Sequence, residues 1–263
     1  GWLDKAVVYI GDEVGPETYE ILKNNARLIK EHCLGLKIMA GIAPKEDLYG
    51  YINVWDPIMF DDGEMKWNSY IPEVGRLRQE AGDEVMWYVA ASPNYPYPNV
   101  KMDNPLIDSR TLFWITWKYG ITGFEYYYIN LWGKNVEGVN GKKWPQIPWD
   151  SYSFISARNA YNGDGMLIYP GPEGRPYSSV RLENIRDGIE DYECLWMLKE
   201  RLDELVQRDL DNKYSEVIEE TQEILKIHDD IVKNMREFSR DPQKIIKARD
   251  RVSRQIEILG NVP

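Results

Sequence analysis

The sequence predicts an α/β fold in which parallel strands are joined by helices. Two observations support this class. Short apolar runs alternate with helix-like segments over the first two thirds of the chain, and the last third carries long helical stripes of apolar residues. Repeated strand–helix units place consecutive strands parallel to one another, with the helices outside the sheet. With 263 residues, the chain is long enough to bury a substantial core.

The elements of this fold can be placed from the apolar pattern. Five runs have the length and composition of buried strands, at residues 6–10, 36–42, within 52–60, 84–91 and 123–129. A further short extended run covers residues 166–169. Helical periodicity is found between these runs, at residues 17–31, 69–81 and 105–119.

Five strands are fewer than the eight of a closed (β/α)8 barrel of the TIM type. Because the first strand begins almost at residue 1, we expect only the C-terminal part of such a barrel over residues 1–207, followed by a helical extension over residues 208–263. An incomplete barrel would expose sheet edges and apolar surface. Self-association through those edges, or through the C-terminal helices, is therefore an expected property.

The last third of the chain predicts three amphipathic helices. Apolar residues step by three and four along residues 182–205, 214–238 and 245–259. Asp241 and Pro242 predict the start of the third helix, because a capping residue is followed by proline at the first helical position. His228 lies on the apolar stripe of the second helix and is predicted to be a core residue.

Composition argues against several classes of function. The net charge of −11 repels nucleic acid and anionic membrane, so neither is an expected partner. Cys33 and Cys194 lie far apart without a CxxC motif, which argues against a disulfide framework or a cysteine zinc site and predicts two core thiols. His32, at a predicted helix end, and His228 are the only histidines, so His-ligated metals and Ser-His-Asp hydrolysis are disfavoured. Carboxylates and tyrosines remain as candidates for chemistry.

Asp12 and Glu13 form the most informative pair of acids. They follow the first apolar run after one glycine and precede a helix-like segment. Barrel enzymes present catalytic acids at the carboxyl ends of their strands, and two neighbouring carboxyls can hold different protonation states there. The alternative is structural: Asp12 would cap the next helix and Glu13 would lie in its first turn, where acids are favoured.

Two longer motifs resemble a known family. Residues 163–171 (GDGMLIYPG) and residues 179–193 (SVRLENIRDGIEDYE) resemble signatures of the domain of unknown function family 4091. That domain overlaps the catalytic barrel of glycoside hydrolase family 123. A third segment is similar to the aromatic last barrel strand of that family through Gly123, Phe124, Tyr126, Asn130 and Trp132. The resemblance extends over roughly residues 6–207.

The resemblance implies a retaining β-N-acetylgalactosaminidase, or a related hexosaminidase, that works by substrate assistance. Asp12 and Glu13 fall where the family places its catalytic pair. Glu13 would be the general acid, and Asp12 would hold the N–H of the sugar's 2-acetamido group, whose oxygen is the nucleophile. The expected substrate is an N-acetylhexosamine glycan with GalNAc favoured, and neither a metal nor another cofactor is needed.

Further side chains at or after strand ends are predicted to bind the sugar. The tyrosines could donate to the acetamido carbonyl, the tryptophans could supply stacking surfaces, and Asp56 could accept from a hydroxyl; core packing is the alternative for each aromatic ring. Asn130 is either a sugar ligand or a turn former. The predicted set is Trp55, Asp56, Tyr88, Tyr126, Tyr128, Asn130 and Trp132.

Other functions remain open at this point. A non-catalytic carbohydrate-binding or scaffold barrel would keep the fold without turnover, and the chain could be an inactive fragment of a larger glycosidase. In a third alternative, the helices within residues 213–259 form the functional surface of an interaction protein. The charged motif between Arg181 and Glu193 is predicted to be structural, with Arg186, Asp187, Glu190 and Asp191 locking a helix against the barrel.

Overall fold

The fold is described from a computed structural model that covers residues 2–61, 68–131, 153–156, 159–169, 171, 175–209 and 211–262. The chain divides into two compact units. One contains Gly1–Pro93 and Tyr119–Tyr126, and the other contains Asn94–Lys118 and Tyr127–Pro263. The C-terminal helices share a unit with residues 94–118, and the domain boundary expected at residue 208 stays a prediction.

Parallel strands organise the first unit. A four-stranded sheet has the order β1 (Val7–Asp12), β2 (Lys37–Gly41), β3 (Val54–Trp55), β4 (Glu84–Val85), and β5 (Trp87–Tyr88) pairs with β6 (Phe124–Glu125). Backbone hydrogen bonds connect the sheet to the pair, since the Met86 N–H donates to the Trp55 carbonyl and the Tyr88 N–H donates to the Pro57 carbonyl. The five predicted strands are therefore present as parallel extended segments in chain order.

Among the described residues, these strands do not close into a barrel. β1 lies at one edge of the sheet, and β2 is its only partner among the described strands. Its Val7 and Tyr9 side chains are 43% and 42% exposed, whereas Ile38 and Ala40 on β2 are fully buried. The α/β class with parallel strands is confirmed, and the assignment to the C-terminal part of a (β/α)8 TIM-type barrel stays a prediction.

Helices α1 (Tyr19–His32) and α2 (Pro72–Glu80) connect strands of the first unit. Short 3-10 segments lie at Leu3–Lys5, Pro16–Thr18 and Glu46–Leu48. His32 falls in the last turn of α1, as the sequence predicts. Cys33 follows as the residue that caps the helix and is exposed, so the prediction of a core thiol at this position is wrong. Cys194 is partly exposed and free.

The second unit is mainly helical. It contains α3 (Asp108–Lys118), α4 (Val180–Arg208), α5 (Ser215–Leu225) and α6 (Pro242–Gly260), with antiparallel pairs of β7 (Ser153–Ser156) with β8 (Asn159–Asn162) and of β9 (Ile168–Tyr169) with β10 (Tyr177–Ser178). The 29-residue α4 packs against the other three helices of this unit. Ser179 caps it by accepting from the Leu182 N–H, and Asp241 caps α6 in the same way, as predicted. None of the described helices is long and apolar enough to cross a membrane.

The second predicted C-terminal helix is shorter than its apolar stripe. α5 ends at Leu225, and the chain then turns through Ile227, whose φ angle is +50°. Ile231 and Met235 are nevertheless buried in the irregular segment that follows. The apolar pattern therefore predicted which residues are buried, but not their secondary structure. The His228 side chain is 81% exposed and lies 2.7 Å from Asp230, which makes the prediction of a core histidine wrong.

The charged motif of α4 has a structural role through Asp191. This carboxylate is 1% exposed. It accepts two hydrogen bonds from Arg110 at 2.7 and 2.8 Å, one from the Trp114 indole at 2.9 Å, and lies 3.2 Å from the Arg249 guanidinium. Asp191 therefore ties α4 to α3 and α6, whereas Arg186 is 62% exposed and pairs with acids of its own helix.

Candidate active site

An irregularity in β1 brings two polar side chains together. Tyr9 lies opposite Met39 of β2 and Asp12 lies opposite Gly41, so β1 contains one residue more than β2 between these pairs. Residues three apart in a regular strand point to opposite faces of the sheet, and a bulge removes this alternation. The Tyr9 hydroxyl consequently reaches Asp12 and donates a hydrogen bond to Oδ1 at 3.0 Å.

The position opposite Asp12 requires glycine. A Cβ atom on Gly41 would lie 2.1 Å from Tyr9 Oη and 2.8 Å from Asp12 Oδ1. Both separations are shorter than nonbonded atoms tolerate in a packed interior. The absent side chain of Gly41 therefore leaves the space in which the Tyr9 hydroxyl and the Asp12 carboxylate meet.

Glu13 leaves the strand in an unusual backbone conformation. Its φ angle is +48°, a left-handed value that few residues other than glycine adopt and that costs energy. The Glu13 N–H donates to the Gly41 carbonyl at 3.0 Å, so β2 holds this conformation. Both Asp12 and Glu13 remain exposed, and the turn gives the two carboxylates different hydrogen-bond partners.

A buried chain of polar groups orients the Glu13 carboxylate. Tyr88, at the end of β5 and only 8% exposed, donates its hydroxyl hydrogen to Glu13 Oε1. Behind it, Asn68 Nδ2 donates to the Tyr88 hydroxyl at 2.7 Å. Asn68 is itself fixed, because its Oδ1 accepts from the Ala43 N–H at 2.8 Å. One oxygen of Glu13 is thus held from inside the protein.

Both tyrosines of the site keep their protons. Burial, followed by the hydrogen bond to Glu13 and the charge of that carboxylate, raises the pKa of Tyr88 well above that of a free phenol. Burial and the negative charges of Glu125 and Asp12 raise the pKa of Tyr9 in the same direction. Each hydroxyl therefore acts as a hydrogen-bond donor toward its carboxylate.

Two further carboxyl groups lie beside this pair. Asp56 follows β3 and is fully buried, while Glu125 ends β6 and is half-buried. Burial raises the pKa of Asp56 well above the usual range of a carboxyl, and the adjoining Glu125 carboxyl and the Asp12 charge raise it further. The carboxyl edge of the parallel strands thus carries four acids, contributed by β1, β3 and β6. Active sites of parallel α/β folds are found at this edge.

The structure brings four of the predicted site residues together in the first unit: Asp12, Glu13, Asp56 and Tyr88. Complete burial of Asp56 corrects its predicted role as a direct hydroxyl acceptor. Tyr126 follows β6 directly and is half-buried. Within the parts of the chain that the structure describes, no group of three or more His, Cys, Asp or Glu side chains is placed to hold a metal ion.

Trp55 has a packing role. It is 0% exposed, donates its indole N–H to Asp83 at 2.7 Å, and packs edge-on against Tyr49. Its ring presents no free face, so the prediction of a sugar platform at this position is corrected. Period-two alternation cannot distinguish a ring that points into the core from one that points into a site.

The remaining predicted sugar contacts belong elsewhere in the chain. Tyr128 and Asn130 lie in the second unit. Tyr128 is 51% exposed and packs edge-on against Tyr127, and Asn130 forms an antiparallel bridge with Met166. Trp132 lies outside the described residues. Sugar binding by these three residues stays a prediction.

Tyr9, Gly41, Asn68 and Glu125 are site residues that the sequence analysis missed. Glu125 lies inside the strand predicted over residues 123–129, and its place at a strand end is known only from the structure, where β6 ends at this residue. Tyr9 and Gly41 gave no usable signal, since their meeting depends on the bulge in β1. Asn68 lies in a segment without a motif and is recognised only through its hydrogen bonds to Tyr88 and Ala43.

A parallel α/β sheet with paired acids and phenols at its carboxyl edge defines a site for acid–base chemistry. The sequence matches the family described as "Glycoside hydrolase 123, catalytic domain" over residues 1–198. This match covers more than half of the 263 residues, and the chain belongs to that family. A comparison with curated proteins gives no significant match.

The fold is also similar to a solved structure. That structure is a family 123 glycoside hydrolase from Clostridium perfringens, studied for the details of glycolipid glycan hydrolysis. The two chains share 15% sequence identity with a TM-score of 0.51, over 99% of this chain and 41% of that chain. At this identity the similarity establishes the fold alone, and the present chain spans less than half the length of the Clostridium protein.

Proposed function

We propose that the chain is a retaining glycosidase that removes terminal β-linked N-acetylhexosamine, with GalNAc favoured, by substrate assistance. The observation that carries the proposal is the adjacent, exposed pair Asp12 and Glu13, whose carboxylates have separate tyrosine partners. Membership of glycoside hydrolase family 123 supports the reaction class. The sugar and the mechanism are what the resemblance of the sequence to that family implies, and the adjacent carboxylates are compatible with both.

Glu13 acts as the general acid and base. The Tyr88 hydroxyl occupies Oε1, which leaves Oε2 for the glycosidic oxygen. In the first step the acetamido oxygen of the substrate attacks C1, the C1–O bond to the leaving group breaks, and Glu13 transfers its proton to the departing oxygen. In the second step a water molecule gives a proton to Glu13 and attacks C1 as the bond between C1 and the acetamido oxygen breaks. This restores the acetamido group and releases the sugar with retained configuration.

Asp12 stabilises the intermediate. The Tyr9 hydroxyl occupies Oδ1, and Oδ2 is available to accept from the acetamido N–H of the substrate. As the acetamido oxygen attacks C1, positive charge develops on the resulting oxazolinium ring. A carboxylate held beside this ring stabilises the charge, and its hydrogen bond orients the acetamido group for attack.

A tyrosine hydroxyl donates to the acetamido carbonyl in the proposed mechanism. Tyr88 has one hydroxyl hydrogen, which it donates to Glu13, so Tyr88 serves as a positioning residue for the acid. Tyr126 is the remaining candidate in this unit for the acetamido carbonyl. Tyr128, Asn130 and Trp132 are retained as proposed sugar contacts.

The experiment is release of 4-nitrophenol from paired β-GalNAc, β-GlcNAc and β-galactoside substrates. We expect hydrolysis of the N-acetylated sugars alone, because the galactoside lacks the nucleophile. Glu13→Gln should lower kcat by about 10²- to 10⁴-fold, and Asp12→Asn should also lower it. Glu17→Gln, which changes a nearby exposed acid at the start of the next helix, is the matched control.

Two results would contradict the proposal. Turnover of the β-galactoside at a comparable rate would exclude substrate assistance, and wild-type activity in Glu13→Gln would remove the assigned acid. Binding of N-acetylhexosamine without turnover, from folded wild-type protein, would instead support a non-catalytic carbohydrate-binding barrel. Addition of the segments that the longer Clostridium protein carries would then test whether the site is incomplete.

A further inference from the structure

A carboxyl group lies in the first unit without a conventional partner. Asp56 is 0% exposed. Among the described residues, no N–H or hydroxyl group donates to either of its oxygens. An ionised carboxylate in such surroundings is strongly disfavoured, because it loses hydration and gains nothing in return. The backbone nevertheless fixes Asp56 in this place, since its N–H donates to the Ala40 carbonyl at 3.1 Å.

The group that meets Asp56 is another carboxyl. The Glu125 side chain on β6 is within hydrogen-bonding reach of it. Two carboxylates cannot bond to each other, because neither has a hydrogen to donate. One proton between them resolves the conflict: a protonated Asp56 donates to Glu125, and the pair carries a single negative charge. The aspartic-protease dyad is a known case of two carboxyls that share a site in this way.

Among the described residues, no titratable group that acts on Asp56 supplies a positive charge. The groups that act on Asp56 are the Glu125 carboxyl and the Asp12 carboxylate. The Tyr9 and Tyr88 hydroxyls lie near enough to feel the charge of Asp56, and both keep their protons. The titratable groups of the described chain that act on Asp56 are therefore acids, and each added negative charge favours the protonated form.

The pair also connects to the proposed reaction. Glu125 is half-buried and acts on the same Tyr9 hydroxyl that binds Asp12, so it lies on the Asp12 side of the site. Asp56 cannot contact a ligand, because it has no exposed surface. Asp56 can act on a ligand through Glu125, by donating a hydrogen bond to one of its carboxyl oxygens.

We propose that Asp56 and Glu125 share one proton, and that Asp56 is a positioning residue that holds Glu125 to accept hydrogen bonds from hydroxyl groups of the sugar. The sugar-binding part rests on the proposed glycosidase function. The proton sharing does not, because it follows from the burial and contacts of Asp56 alone.

Proton sharing is tested first, by the pH dependence of unfolding. The folded state keeps the Asp56 proton while the unfolded state releases it, so raising the pH favours unfolding. The unfolding constant of the wild type, divided by that of Asp56→Asn, should rise about tenfold per pH unit between about pH 5 and pH 7. Asparagine keeps a donor for Glu125 without an ionisable group.

Asp83→Asn is the matched control. Asp83 accepts from the Trp55 indole at 2.7 Å and from Arg78 Nε at 2.8 Å, so its ionised form is satisfied. Neutralising it should increase the unfolding constant across the same pH range. A ratio for Asp56→Asn that does not change with pH, or that resembles that of Asp83→Asn, would overturn the proton sharing.

A measurement on the wild type covers the case in which Asp56→Asn does not fold. Carbon-13 labelling of the aspartate carboxyls should give one resonance that stays in the protonated range at pH 7. Titration of every aspartate carboxyl below that pH would overturn the proposal without any variant.

The positioning role is tested by activity. Asp56→Ala should lose activity, and Asp56→Asn should restore most of it because the amide can still donate to Glu125. Glu125→Gln should raise KM, and this rise should be smaller for sugars that lack one ring hydroxyl. Equal loss in Asp56→Ala and Asp56→Asn would overturn the positioning role. Absence of activity in the wild type would overturn the proposed function, and with it the sugar-binding role, while leaving the pH results intact.

Discussion

Replacing Tyr88 with phenylalanine tests whether the buried polar chain behind Glu13 serves catalysis. The change removes one oxygen atom and keeps the ring, which is 8% exposed. Glu13 Oε1 then loses the donor that fixes it, and the amide group of Asn68 loses its acceptor. The loss at Glu13 should affect catalysis, because Glu13 is the proposed acid. The loss at Asn68 should affect the free energy of unfolding, because this side chain is fully buried.

The magnitudes follow from the two bonds. A hydrogen bond to a charged group contributes about 1.5–3 kcal/mol, which corresponds to a decrease in kcat of roughly tenfold to 150-fold if the bond is needed in the transition state. Leaving the Asn68 amide unsatisfied should lower the free energy of unfolding by about 1–3 kcal/mol. KM should change less than kcat, since Tyr88 does not contact the sugar in the proposed mechanism.

The assay combines hydrolysis of 4-nitrophenyl β-GalNAc with urea denaturation of the same samples. Tyr51→Phe is the control, because within the described part of the chain the Tyr51 hydroxyl accepts from Arg27 alone, at 3.2 Å, and both measurements should stay near wild type. A folded Tyr88→Phe variant with unchanged kcat would refute the positioning of Glu13 by Tyr88. An unchanged free energy of unfolding would refute the buried chain through Asn68.

Two further predictions concern space in the site and the stability of the second unit. Gly41→Ala should lower kcat by about tenfold or more and the free energy of unfolding by about 1–3 kcal/mol, because a Cβ atom would lie 2.1 Å from Tyr9 Oη; kinetics and denaturation check both values. Asp191→Asn should cost about 3–5 kcal/mol of unfolding free energy, since it removes the charge that Arg110 contacts twice. Asp187→Asn, at a site 39% exposed and 3.5 Å from Arg110, should cost about 0–1 kcal/mol in the same denaturation assay.

The elements that sequence predicts well are those whose signal is local. The strand that ends in Asp12 and Glu13, the proline-led start of α6 and the charged motif around Asp191 each occupy one continuous segment. The apolar periodicity gave a wrong prediction where residues are buried without being helical. Residues 226–240 keep the apolar spacing of a helix, but Ile227 is left-handed and the chain leaves the helix there.

The site was predictable only in part, because most of its contacts join distant segments. Asp12 and Glu13 are neighbours in sequence, whereas Asp56 meets Glu125 through the order of the parallel strands. At Trp55 the sequence predicted a contact that the structure lacks. An aromatic ring after a strand was predicted to stack on the sugar, but Trp55 is buried in the core and donates its indole N–H to Asp83.

The single extra residue in β1 explains why the two catalytic candidates can differ in role. Without the bulge, Tyr9 and Asp12 would point to opposite faces of the sheet, and Asp12 would lose the hydroxyl that orients it. The left-handed turn at Glu13 then directs the second carboxylate to Tyr88 instead of Tyr9. Adjacent acids on a regular strand would have been separated by the sheet itself. Here both acids are exposed at the irregularity, and each has its own tyrosine partner. In the proposed mechanism the second oxygen of Asp12 accepts from an N–H and the second oxygen of Glu13 serves the departing oxygen.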